Sequence, residues 1–393
     1  MTTSSEQIRA FTGPAILSYG FRPFFLFGSV WAALAVALWL PMLAGEISLP
    51  TAFGPLEWHI HELLYGFVPA VIAGFLLTAV PNWTGRLPVV GRRLLMLFLL
   101  WVAGRVAILG SAIIGATPAA LVDLAFLATL EFVMAREILA ADNTRNLKVL
   151  VVVSLLAIGN LLFHLEAIAG IGAGHGTRLG IAAVVLLISI IGGRIIPSFT
   201  HNWLVKHGAD RLPVPFGKFD MAVIAATALA LAAWVVTPES VATAVLAAAV
   251  GVLQIARLAR WAGPRTTGEP LVLILHVAYG FVPLGFLLLA LGNFRPDIIA
   301  PAGAVHGWTA GAIGMMTLAV MTRASLGHTG HALTASRSVQ IVYLAAFVAA
   351  VTRIAAAFHG PRDALLTVSA LAWVLAFGGF AVLYAPLLTR PGR

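Results

Sequence analysis

The chain has 393 residues, of which 60% are apolar and only 10% charged. A soluble protein draws about 25% of its residues from charged types to make its surface, so lipid must cover most of this one. It has no cysteine, which excludes disulfides, thiolate metal sites and cysteine-held iron–sulfur clusters, and its net charge of +9 sits mainly on arginines between apolar runs, where it fixes membrane orientation rather than recruiting nucleic acid.

The first 23 residues hold Glu6, Arg9 and Arg22 and no apolar core, so no cleavable signal peptide is expected. Apolar runs then follow one another at 24–43, 58–80, 94–113, 118–138, 149–170, 178–199, 219–237, 240–259, 270–292, 300–322, 337–358 and 364–386. Each has roughly the 20 residues that cross ~30 Å of hydrocarbon as a helix. The expected fold is therefore all-α, a polytopic bundle of about twelve transmembrane helices forming a single transmembrane domain, 1–393.

Charge orients it. With the N-terminus inside, Arg178, Arg295, Arg353 and Arg362 fall in outer loops and Arg105 falls mid-span; the other 19 of the 24 Lys and Arg residues lie in inner segments. That bias over six hairpins predicts an even number of spans with both ends cytoplasmic.

Faint repeats run through the pattern. Tyr65-Gly66-Phe67-Val68-Pro69 recurs as Tyr279-Gly280-Phe281-Val282-Pro283, each after a histidine, in runs of opposite direction. The inner ends of the second, sixth and tenth runs also look alike, which suggests three four-helix units.

An ionisable side chain in a bilayer costs on the order of 3 kcal/mol or more, so each needs a reason. His59 and His61 open the second run on the outer side, His164 comes late in the fifth, and His306 opens the tenth, so four imidazoles from three runs share a depth. Two to four imidazoles are what a heme iron or a copper ion needs. His59 and Glu62 share a helix face, as do His61 and Tyr65, and Asn160 and His164; a carboxylate beside an imidazole fits a ligand-orienting role. His276 lies in the inner half of the ninth run with Tyr279 and Gly280 on its face, the glycine clearing space for a flat ring. Arg105 mirrors the stretch between Asp123 and Glu131 in the next run, which suggests an ion pair. Arg194 and Arg323, at inner ends, have the fork geometry that holds carboxylates such as heme propionates. His328 and His331 follow Arg323 in a glycine-rich segment, a second candidate metal or anion site. No phosphate-binding loop, dinucleotide fingerprint, zinc-protease motif or nucleophile elbow is present.

Several stretches together resemble the NnrS family. They are Phe21-Arg22-Pro23-Phe24-Phe25, Trp58-His59-Ile60-His61-Glu62, the run Gly74 to Gly85, Gly192-Gly193-Arg194, His306, Arg323 and Leu326-Gly327-His328-Thr329-Gly330. The resemblance implies a bacterial inner-membrane protein that carries heme and copper and serves the nitric oxide response and resistance to nitrosative stress. Its pattern falls here on His59, His61, Glu62, Arg194, His276, His306, Arg323 and His328. Where that family commonly has arginine after His-Thr-Gly, this chain has His331. Three activities follow as expectations: a heme–copper protein that meets nitric oxide or a related small ligand; a heme–copper reductase of nitric oxide or oxygen, with Glu62, Asp123, Glu131 and Glu166 as proton carriers; or a secondary transporter of a metal or small anion.

Overall fold

The computed structural model describes residues 11–86, 88–143, 146–358 and 361–391; Glu6, Arg9, Arg145, His359 and Arg393 lie outside them. Among the described residues the secondary structure is helical, with no strand. Twelve helices carry the architecture: α1 (Phe21–Leu43), α2 (Pro55–Thr84), α3 (Gly91–Leu109), α4 (Ala116–Ala140), α5 (Leu147–Ile168), α6 (Gly174–Lys206), α7 (Lys218–Val236), α8 (Val241–Ala259), α9 (Pro270–Phe294), α10 (Met315–His328), α11 (Arg337–Ala355) and α12 (Arg362–Thr389).

Ten of these are long and apolar enough to cross a membrane, as expected of a polytopic protein. The exceptions are α3 and α10, the third and tenth of the expected spans. α3 carries Arg92, Arg93 and Arg105, which lower its hydropathy. α10 is cut short because a π-helical turn, Gly307–Gly314, precedes it.

Contacts divide the chain into two compact units, rather than the three four-helix units that the similar helix ends suggest. Small residues at helix ends look alike without packing alike. The first unit is Met1–Gly180 with Ala324–His331 and Phe377–Arg393; the second is Ile181–Arg323 with Ala332–Ala376.

In the first unit, α3 packs on α4, α1 on α2 and α4 on α5. Phe24, Phe98, Trp101 and Phe126 form an aromatic layer between α1, α3 and α4. α2 is not a uniform α-helix: a π-helical turn, Glu62–Phe67, follows His61 directly. A π turn displaces carbonyls from the i→i−4 ladder, and the Trp101 indole donates to the Gly66 carbonyl at 2.8 Å. α5 and α6 cross closely because Gly176 has no side chain; a Cβ there would collide with the backbone of Phe163, and one at Gly180 with the Tyr65 phenol of α2. The Phe21-Arg22-Pro23 stretch has a structural role. Arg22 is 4% exposed, and its Nη1 donates to the carbonyls of Leu387 (3.3 Å), Leu388 (3.1 Å) and Arg390 (2.6 Å), so a cation closes the C-terminal, negative end of α12.

In the second unit α8 and α9 form the most intimate pair, and the turn Gly307–Gly314 packs on α9 and α11. Trp308 in that turn donates its indole N–H to the Val282 carbonyl at 3.0 Å. Each Tyr-Gly-Phe-Val-Pro copy thus gives one carbonyl to an indole. A second buried arginine lies here. Arg257 on α8 is fully buried; its Nε donates to Asp220 Oδ1 at 3.0 Å, and its Nη1 to the Ser189 carbonyl (3.0 Å) and the Tyr279 hydroxyl oxygen (2.9 Å). Gly193 explains part of the Gly192-Gly193-Arg194 stretch, because any Cβ at Gly193 would occupy the place of the Arg257 guanidinium.

Candidate metal centre

Six polar side chains and the Trp31 indole meet inside the first unit, delivered by α1 to α5. His61 ends the regular first turns of α2 and Glu62 opens the π turn, and the side chains of these two neighbours reach each other. His61 Nδ1–H donates to Glu62 Oε1 at 2.9 Å. On a regular helix, adjacent residues point about 100° apart and do not meet. Arg105 on α3 pairs with Glu62 Oε1 at 2.7 Å through one nitrogen and with Asp123 Oδ1 on α4 through the other. Asn160 and His164 share a face of α5, and Asn160 Nδ2 donates to Asp123 Oδ2 at 2.8 Å. Trp31 of α1 donates its indole N–H to Glu62 Oε2 at 2.7 Å.

The result is a triangle of three buried donor atoms. His61 Nε2 and His164 Nε2 are 3.3 Å apart. Asp123 Oδ2 lies 3.3 Å from the first and 3.1 Å from the second. The three side chains are at most 3% exposed. Because Glu62 can only accept, the proton of a neutral His61 sits on Nδ1. A bare Nε2 lone pair then faces a carboxylate lone pair at 3.3 Å in a medium of low dielectric. Asn160 serves Asp123 Oδ2 from outside the triangle, and between the three atoms neutral imidazoles offer at most one N–H, on His164. Formal charge points the same way: Glu62 and Asp123 carry two negative charges and Arg105 carries one positive. A cation resolves both the repulsion and the surplus charge, either a second proton on His61, donated from Nε2 to Asp123 Oδ2, or a metal ion in the triangle.

The dimensions fit one. Edges of 3.1–3.3 Å let His61 Nε2, His164 Nε2 and Asp123 Oδ2 each come within about 2.1 Å of one first-row ion, the usual distance to imidazole nitrogen or carboxylate oxygen. Two imidazoles and a carboxylate suit Cu(II), Zn(II) or Fe(II). Among the described residues His61, Asp123 and His164 are the one group of three or more such ligands close enough to share an ion.

The other sequence candidates lie elsewhere. His59 stacks on Trp39 with ring centroids 3.9 Å apart instead of pairing with Glu62. Tyr65 donates its hydroxyl to the Gly176 carbonyl at 2.6 Å; only its ring touches His61. His328 lies against Tyr19 and Phe21 in the first unit, and Thr329 and His331 hydrogen-bond locally. In the second unit, Thr200 donates to the Ile196 carbonyl, so His276 Nε2–H donates to Thr200 Oγ1 at 2.8 Å. Gly280 faces Leu258, not a ring slot; the glycine beside the His276 ring is Gly263, on the turn before α9. His306 donates Nδ1–H to the Gly303 carbonyl at 3.0 Å. Arg323 lies over the Phe199 ring at 4.1 Å, and Arg194 is half-buried on α6.

Asp123 is the member that sequence reasoning underused. The sequence offers it as one end of the stretch facing Arg105 and as a proton carrier, although an intramembrane carboxylate able to face both an arginine and the Asn160–His164 stripe already has the signature of a ligand. Heme is a different case. An axial imidazole needs its nitrogen directed into a slot of a few hundred Å³. The cavities beside His164 and beside Glu137 hold about 30 and 10 Å³. Neither of these cavities holds a macrocycle.

The Glu62 carboxylate holds the tautomer and tilt of His61, and Trp31 holds Glu62. Trp31→Phe should therefore weaken metal binding about tenfold or more, as loss of an outer partner usually does, while leaving the helical circular dichroism unchanged. Competition with a chelator checks this; an unchanged affinity would show that Glu62 needs no support.

No individual curated protein matches the chain. The family model described as NnrS protein matches residues 15–392, from the turn before α1 to past the end of α12. The protein is thus a multi-pass membrane protein of the nitric oxide response at the level of its family, and the chain belongs to the NnrS family.

Proposed function

We propose that the protein holds a metal ion, copper by the expectation that the family carries, at His61, Asp123 and His164, and that this ion meets nitric oxide or a related small ligand. The observation that supports this most directly is the triangle of buried donor atoms, His61 Nε2, His164 Nε2 and Asp123 Oδ2, held 3.1–3.3 Å apart. When bound, copper would supply a Lewis-acidic, redox-active centre. The chain's own part is to fix three donors, to hold Nδ1–H of His61 on Glu62, and to keep bulk water out. Arg105 and Asn160 restrain the Asp123 carboxylate so that one oxygen stays directed at the imidazoles. The bacterial inner membrane as location and both ends on the cytoplasmic side are part of this reading, on the strength of the family and the arginine bias. On that orientation the centre lies toward the outer face.

Metal analysis of the purified protein tests it. Wild type should carry about one ion per chain, lost in His61→Ala and His164→Ala and kept in His59→Ala and His306→Ala. Equal metal in all five proteins would place the ion elsewhere; no metal in wild type grown with copper would remove the centre altogether.

A further inference from the structure

A cavity of about 30 Å³ lies directly against His164. Its walls are the methyl and ring surfaces of Ala119 on α4, Ala167 and Ile168 on the last turn of α5, and Phe53 in the loop between α1 and α2. Ala52 and Ile168 on its rim are exposed. It therefore joins the protein surface to an imidazole of the donor triangle.

Phe53 lines that cavity together with His164 and lies against both imidazoles of the centre. Its ring stacks on His164 at 5.8 Å, lies 5.2 Å from His61 and meets Phe163 edge-on at 5.5 Å. The backbone around it is anchored. Ser111 Oγ accepts from the Ala52 N–H at 2.8 Å, and the Ala112 N–H donates to the Pro50 carbonyl at 3.1 Å. Beyond this anchor the Phe53 side chain makes no hydrogen bond and is half-buried, packed on the rings of His61, Phe163 and His164 and on the apolar cluster around Trp39 and Trp58.

The lining selects what passes. The Ser111 hydroxyl is committed to the Ile108 carbonyl and the Ala52 N–H, so the walls offer little to a charged or strongly hydrated solute. Stripping water from an ion without compensation costs several kcal/mol. A volume near 30 Å³ suits a species the size of one water molecule. We propose that this cavity is the access route of a small uncharged molecule of diatomic size to the donor triangle, with Phe53 as its gate. This rests on the proposed metal centre and adds the path, the gate and the exclusion of ions such as nitrite or nitrate.

The test uses Phe53→Ala to open the gate and Ala167→Leu to fill the mouth, with Ala119→Leu as the second filling variant should the first fold poorly. In copper-loaded, reduced protein, carbon monoxide is released by a flash and its recapture is followed by infrared absorption. Recapture should speed up about tenfold in Phe53→Ala and slow about tenfold in Ala167→Leu, with metal content unchanged, because a close-packed wall passes no solute until a side chain moves. Rates within a factor of about two of wild type in both variants would overturn the gate while leaving the metal centre standing. If no protein holds copper, the centre fails first, and the gate is read on metal-free protein with diethyl pyrocarbonate and mass spectrometry. His164 should then be modified faster in Phe53→Ala than in wild type; equal modification overturns the proposal.

Discussion

Arg105→Gln should destabilise the metal-free protein by about 3–5 kcal/mol, the cost typical of removing one partner from a buried ion pair. The reason is charge. Arg105 is 4% exposed and is the cation paired with both Glu62 and Asp123. Without it two carboxylates share a dry space. Asp123→Asn works in the opposite direction. It leaves Glu62 and Arg105 as a neutral pair, so the metal-free form should lose far less, although the carboxylate donor is gone. Copper should then separate the variants. A ligand that binds only the folded state stabilises by about 2.7 kcal/mol at a hundred times its dissociation constant. Wild type and Arg105→Gln should both gain, the latter more because the ion replaces the missing positive charge; Asp123→Asn should gain little. Thermal unfolding in detergent with and without copper reads all six states. Equal losses for the two variants, with copper without effect on any protein, would mean that the triangle is an ordinary hydrogen-bonded cluster.

The spans were legible because lipid imposes a simple length rule, and the ion pair at Arg105 because a guanidinium inside a bilayer must have a partner. The Asn160–His164 stripe was legible too, since α5 is a regular helix there and residues four apart share a face. What the sequence hid was the pairing of His61 with Glu62. A regular 3.6-residue period puts His59 with Glu62, and that expectation fails at the π turn Glu62–Phe67. Nothing in the local pattern announces such a turn; it depends on Trp101, from α3, taking up the Gly66 carbonyl. The same limit applies to Gly280. It was expected to open a slot beside His276, yet which glycine faces the ring is decided by the turn Gly263–Thr266, where Ala262 is held at φ +56. Regular periodicity can be read along one segment, whereas contacts made by departures from it depend on segments far away in the chain.

Arg257 on α8 gives the second large effect. Arg257→Met should destabilise by about 3–5 kcal/mol, again because the partner left behind is a buried carboxylate, here Asp220 at 2% exposure. Asp220 has two hydrogen-bonding tasks, with Arg260 Nη2 a looser neighbour 3.9 Å from its Oδ2. Its Oδ1 takes the Arg257 Nε–H, and its Oδ2 accepts the Gly217 N–H at 3.1 Å, closing the first turn of α7. The double variant Asp220→Leu with Arg257→Met removes both charges but also the cap, which is worth about 1 kcal/mol. It should therefore be more stable than Arg257→Met alone, and a double-mutant cycle should show a coupling of about 2 kcal/mol or more. Tyr279 also loses a partner in Arg257→Met, but its hydroxyl keeps Gln254 Oε1 at 2.8 Å, so the aromatic contact of Tyr279 with Trp261 should persist. Thermal unfolding of the four proteins, with near-ultraviolet circular dichroism for the aromatic packing, checks both parts. Strict additivity would mean that Arg257 acts by filling volume beside Gly193 and not by its charge.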